Sequence, residues 1–182
     1  MLDVFSAFGL SSAAGLNAYL PLLIVGLMAR YTDLITLDSP WDALENPWVL
    51  GALVVLLIIE MTADKIPAVD TLNDGIQTFV RPVAGAILFA ASAQVITDIH
   101  PALSMISGLL IAGGVHTVKA ATRPVVTATT AGVGNPVVSV AEDVVAAVVT
   151  VSAIILPLLT GIVLLVLLFF ALRWLRRRRS AA

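Results

Sequence analysis

Acidic residues interrupt two apolar runs of this chain, and both positions could bind a proton or a cation. Glu60 follows the uncharged stretch Trp48–Ile59, and Glu142 with Asp143 breaks the stretch Pro136–Leu156. A carboxylate costs roughly 2.5–3.5 kcal/mol at the centre of a spanning helix on insertion scales, so its presence there calls for a function or a partner. Asp64 follows Glu60 by one helical turn on the same face, and His116, Lys119 and Arg123 form a stripe at i, i+3 and i+7. At 1.5 Å per residue, Glu60 lies about 18 Å from Trp48, His116 about 21 Å from Ala102 and Glu142 about 9 Å from Pro136. In a hydrocarbon core of about 30 Å, all three then sit about 9–12 Å from one edge. One reading is a proton- or cation-binding set of Glu60, Asp64, Glu142, Asp143 and His116. The other is structural ion pairing with snorkelling side chains near the interface.

A second set of residues could contact a substrate. Ser12-Ala13-Ala14-Gly15-Leu16-Asn17 and Thr130-Ala131-Gly132-Val133-Gly134-Asn135 share a pattern of hydroxyl, small residues and a closing Asn. Each Asn could cap a following helix, and Pro136 suits a first helical position. Free N–H groups at such starts attract anions, while unwound carbonyls attract cations, as in transporters built on broken helices. Asn17, Asn135, Gly132 and Gly134 are the expected contacts, with Lys119, Arg123 and Arg81 placed to attract an anionic group. Close helix packing through small residues explains the same composition. The repeated Arg81-Pro82-Val83 and Arg123-Pro124-Val125, with the two Asn-terminated stretches, suggests an inverted repeat. Neither stretch carries the Gly-Lys-Ser/Thr of a phosphate-binding loop.

Glu60/Asp64 and Asp70/Asp74 are i,i+4 pairs, the spacing by which lipid-phosphate enzymes present carboxylates to Mg²⁺. Pro67 divides the pairs, and Asp70 with Asp74 reads as a solvated face of a cytoplasmic linker. With two histidines and no cysteine, a dedicated zinc site is not expected. His100 is expected in an outer turn.

The elements that must position these residues are transmembrane helices. The chain of 182 residues is 59% hydrophobic and 12% charged, with a mean hydropathy of +1.04. A soluble domain is about half apolar and a quarter charged, so the excess must face lipid. Six apolar segments are expected, at residues 4–28, 48–66, 82–97, 102–120, 136–156 and 158–175, in a single helical domain. The first and the Gly-rich stretch before the fifth are expected to be broken or re-entrant. Pro157 separates the last two segments as a tight hairpin. Met1–Asp3 lacks a positive n-region, so no cleavable signal is expected.

With six spans, Lys65, Arg81, Lys119, Arg123, Arg173 and Arg176–Arg179 share the side of both termini, and Arg30 lies opposite among Asp33, Asp38, Asp42, Glu45 and Asp98. By the positive-inside rule both termini are expected to be cytoplasmic. The Arg176–Arg179 run reads as an anchor on anionic lipid.

The stretch Gly9–Tyr19, the residues Glu60 and Ala63-Asp64-Lys65-Ile66-Pro67 through Asp70, Arg81–Gly85, and Gly132-Val133-Gly134-Asn135-Pro136 through Glu142-Asp143 with the basic tail resemble one family. It consists of bacterial multi-pass membrane proteins known as a domain of unknown function (number 4126). The resemblance implies a helical membrane domain and no activity. Function therefore rests on the residues. The leading expectation is a small secondary transporter or permease of the bacterial inner membrane, with no cofactor unless a cation such as H⁺, Na⁺ or Mg²⁺. The alternatives are a lipid-phosphate enzyme or lipid translocator using Mg²⁺, and a structural membrane assembly partner. The expected partners are the bilayer and a small-molecule or lipid substrate, with a homo-oligomer left open and nothing pointing to nucleic acid.

Overall fold

The computed structural model describes residues 4–93 and 100–179; the side chains of residues 67, 68, 70, 71, 93 and 174–179 lie outside that description. Its elements are α1 (Val4–Leu16), α2 (Tyr19–Tyr31), a short 3-10 helix (Trp41–Glu45), α3 (Pro47–Ala63), α4 (Pro67–Ala93), α5 (Pro101–Thr130), α6 (Asn135–Ile155) and α7 (Pro157–Arg179). Proline opens α3, α4, α5 and α7, where its missing N–H costs nothing. Asn46 caps α3 by accepting from Trp48 N at 2.9 Å, and His100, expected as a plain turn residue, caps α5 through Nδ1 to Ala102 N at 3.2 Å.

Three helical stretches, Leu72–Ser92, Pro101–Thr130 and Asn135–Ile155, are long and apolar enough to cross a membrane, which marks a membrane protein. Polarity is inverted accordingly: Arg81, Gln77, Glu60, Asn17, Asn135 and Asp64 are among the largest fully buried side chains, whereas Val55, Ile58, Leu110, Val144 and Phe170 are exposed. Exposed apolar surface on this scale belongs against lipid.

The six expected segments map unevenly onto these helices. The first is two helices, broken at Asn17–Ala18. The expected linker at 67–81 is the start of α4, and α5 runs on through Pro124 to Thr130. Proline is tolerated inside such helices because neighbouring groups satisfy the backbone it frees. The end of the third segment, 94–97, lies outside the described residues, as do Asp98 and the side chains of Asp70 and Arg176–Arg179.

Contacts fix the helix directions. Ser6 Oγ donates to Ala153 O and Asn17 Nδ2 to Asp143 Oδ1, so α1 runs antiparallel to α6. Ser11 Oγ donates to Gly85 O, and Phe8 packs edge-on against Phe89, so α1 also opposes α4. Ala18 N meets Glu60 and Gly26 meets Leu50, so α2 opposes α3. Because α3 descends to Glu60 and α5 descends beside α1 to Lys119, α1 runs toward these charges and α2 away from them. The chain reverses at the break.

Small residues make this packing close. A Cβ on Gly15 would lie 2.6 Å from Ala112 O, and one on Gly85 2.7 Å from Gly108 O. Helix α7 packs along α1, and with α5 these enclose a cavity of about 400 Å³ lined by Phe5, Phe8, Ile111, Val115, Leu164 and Leu168.

Candidate functional site

At the reversal, charged side chains from four helices form one buried network. Asp64, at the end of α3, is its hub. Its Oδ1 accepts from Asn73 Nδ2 at 2.7 Å, and its Oδ2 lies 3.0 Å from Lys119 Nζ, 3.5 Å from Arg81 Nη2 and 3.6 Å from Arg123 Nη2. Glu60 Oε1 accepts from Arg81 Nε at 3.2 Å and Nη2 at 3.0 Å, with both side chains fully buried. Glu142 Oε2 lies 2.7 Å from Arg123 Nη2 and 3.2 Å from Lys119 Nζ. Lys119 Nζ also donates to Leu16 O at 3.0 Å. Asp74 is a rim partner, 3.9 Å from Arg81 Nη1.

The broken helix is wired into this network by charge sign. The carbonyl end of α1 carries partial negative charge and meets Lys119 at Leu16 O. The amide start of α2 carries partial positive charge and meets Glu60, which accepts from Ala18 N at 3.4 Å. Asn17 joins both halves: its Oδ1 accepts from Tyr19 N at 3.2 Å and Leu20 N at 3.0 Å, while Nδ2 donates to Asp143 Oδ1 at 2.9 Å. The expected capping by Asn17 is therefore present.

His116 has both ring nitrogens engaged. Arginine can only donate, so the contact of Arg81 Nη1 with Nδ1 at 2.9 Å makes Nδ1 an acceptor. The hydrogen then sits on Nε2 and points at Thr78 Oγ1, 3.1 Å away, whose own hydroxyl donates to Asp74 O at 2.7 Å.

The structure thus brings together Glu60, Asp64, Arg81, His116, Lys119, Arg123 and Glu142, with Asp143 attached through Asn17. The second Asn-terminated stretch lies apart. Asn135 is the first residue of α6 and does not cap it; its Nδ2 donates to Thr127 Oγ1 at 2.9 Å. Asn135 precedes Asp143 by eight residues on the same face, about 12 Å along the helix. Ala131 (φ 51°) and Gly132 (φ 85°) form the left-handed turn that ends α5, and Gly134 N is held by Thr130 Oγ1 at 3.0 Å.

Residues not singled out from sequence also belong to the site. Asn73 holds Asp64, Gln77 is buried beside Tyr19, and Ser139 is fully buried one turn before Asp143. Their polarity resembled a solvated helix face, and only the i, i+4 spacing of Asn73, Gln77 and Arg81 could have shown that this face turns inward. Among the described residues no group of three or more His, Cys, Asp or Glu side chains is arranged to hold a metal, because the carboxylates face cations.

A family model described as domain of unknown function (DUF4126) matches residues 4–177. No curated protein and no solved structure matches the chain.

Proposed function

The chain belongs to the DUF4126 family, and since that description carries no activity, we propose from the site itself that it is a small proton-coupled transporter or permease. One observation carries the reading: the buried charge network sits on the two ends of a broken helix. Each end of the break is held by a charge of the sign opposite to its dipole, through Lys119 on Leu16 O and Glu60 on Ala18 N. A change of charge in the network would therefore alter how the break is held, which is what coupling an ion to an opening movement requires. Intramembrane ionisable residues are costly and characteristically mark ion pathways.

In this reading α1 and α2 are a re-entrant pair that enters and leaves on the acid-rich face, and α3 to α7 cross the membrane. The basic side chains Lys65, Lys119, Arg123 and Arg173 then belong to the cytoplasmic half, and the N-terminus lies outside with Tyr31–Asn46. That differs from six full spans, which place both termini inside.

A second reading has its own support. Glu60 and Arg81 are fully buried and paired with each other, as expected for a clasp that only holds helices together in an assembly partner. Vesicles separate the two. Proteoliposomes with a trapped pH-sensitive dye should equilibrate an imposed pH step faster than protein-free vesicles, and Lys119→Gln and Glu142→Gln should slow them. Rates equal to protein-free vesicles, with the variants losing thermal stability alone, would establish the clasp instead.

A further inference from the structure

Ion pairing singles out one acid. Glu60, Asp64, Asp74 and Glu142 each lie in ion-pair range of at least one of Arg81, Lys119 and Arg123. Asp143 is 5% exposed, and its Oδ1 accepts from a neutral amide, Asn17 Nδ2, at 2.9 Å. Its Oδ2 has no hydrogen-bond partner among the described residues, and neither has Ser139 Oγ, one turn earlier on the same face of α6 and fully buried. Leaving such polar atoms unsatisfied is unfavourable, and a lone buried charge is worse.

We propose that Asp143, flanked by Asn17 and Ser139, is the proton-binding site of the chain and is held as the neutral acid in this closed arrangement. The assignment deepens the carrier reading by naming the acid that takes the proton. A proton suits the site better than a metal cation because Asn17 turns its N–H group toward the carboxylate. Its oxygen is committed to Tyr19 N and Leu20 N. The charged groups that face Asp143 are Lys119 from α5 and Asp64 with Lys65 from the end of α3, with Glu142 as its chain neighbour. Helices α1 and α2 bring Asn17 and Tyr19, and the described ionisable residue of α7, Arg173, is exposed toward its far end.

The consequence of losing the proton follows from Lys119. Its ammonium donates to Asp64 Oδ2 and to Leu16 O, each at 3.0 Å, and lies 3.2 Å from Glu142 Oε2. A newly charged Asp143 draws that ammonium toward α6, and the bond most easily given up is the neutral one to Leu16 O. Release of that carbonyl loosens the end of α1 at the break.

Infrared spectroscopy of the purified protein in lipid nanodiscs tests this without any substrate. A protonated-carboxyl C=O band should be present, shift in D₂O and disappear as pH is raised. Asp143→Asn should abolish the band, whereas Glu142→Gln should keep it. Asp143→Glu retains an acid but moves it relative to Asn17 Nδ2 and should shift the band's frequency, which keeps the test open if Asp143→Asn does not fold. A band that survives Asp143→Asn, a band unmoved by Asp143→Glu, or no such band at any pH where the protein is folded would overturn the assignment. Proton movement in vesicles with a band insensitive to Asp143→Asn sinks the assignment alone. A band lost in Asp143→Asn in protein that moves no protons supports it and sinks the carrier reading.

Discussion

Glu60 and Arg81 show how a single residue can be costly alone and sound in company. Desolvating either charge costs several kcal/mol, and their contacts at 3.0 and 3.2 Å offset this only while both are present. Read in isolation, Glu60→Gln deletes a buried charge and should leave stability equal or higher. The structure reverses that expectation, because the change strips Arg81 of its closest carboxylate. Glu60→Gln should destabilise the protein by roughly 3–5 kcal/mol, measured by thermal or denaturant unfolding in detergent. Adding Arg81→Met to Glu60→Gln should recover most of the loss, since Asp64 keeps Lys119. A double variant as unstable as the sum of its singles would show that the pair is not the unit. Asp143→Asn should behave oppositely, because no cation among the described residues is paired with that acid, and should hold or raise stability. The charged members of the site were legible in sequence because a charge inside an apolar run is conspicuous. Asn73, Gln77 and Ser139 were not, because an uncharged polar residue is ordinary on any helix face.

At the scale of elements, glycines separate three physical situations. Gly51 is on α3 with nothing within 4 Å of an added Cβ, so Gly51→Ala should stabilise by about 0.4–1 kcal/mol through the unfolded chain. Gly85 and Gly108 bring α4 and α5 together, and Gly85→Ala or Gly108→Ala should cost about 1–3 kcal/mol by overpacking. Gly132 sits at φ 85°, where Gly132→Ala should cost about 1–2 kcal/mol through backbone strain. Unfolding midpoints that rank Gly51→Ala above wild type and the other three below it check the series. A stabilised Gly132→Ala would mean that the turn after α5 is ordinary helix. Hydropathy revealed most of these helices but placed their ends poorly. Pro67–Arg81 looked like a linker because it is charged and follows a proline, yet its Asn73, Gln77 and Arg81 face lines the network. The two Asn-terminated stretches looked alike and are not: Asn17 caps a helix start, whereas Asn135 lies within one and binds Thr127.

Direction through the membrane is a property of the whole molecule, and hydropathy is blind to it. Residues 4–28 are apolar enough for one crossing, about 40 Å if continuous, and a single crossing would put the N-terminus beside the basic side chains. The helix contacts favour another path. Ser6 lies by Ala153 and Phe8 by Phe89, near the ends of α6 and α4 remote from the charges, and Gly26 lies by Leu50 near the start of α3. Both arms of the broken helix therefore open toward one face, with Asn17 at the vertex. If that face is outside, an N-terminal epitope tag and Asp38→Cys should both be reached in intact cells, by antibody and by a membrane-impermeant thiol reagent. Val133→Cys, exposed in the turn after α5, should react only after lysis. The chain has no native cysteine, so each signal belongs to its site. A tag hidden until lysis while Asp38→Cys still labels would make residues 4–28 a true span and remove the re-entrant pair. Labelling of Val133→Cys in intact cells would invert the molecule, contrary to the positive-inside rule, which puts Lys65, Lys119 and Arg123 on the cytoplasmic side.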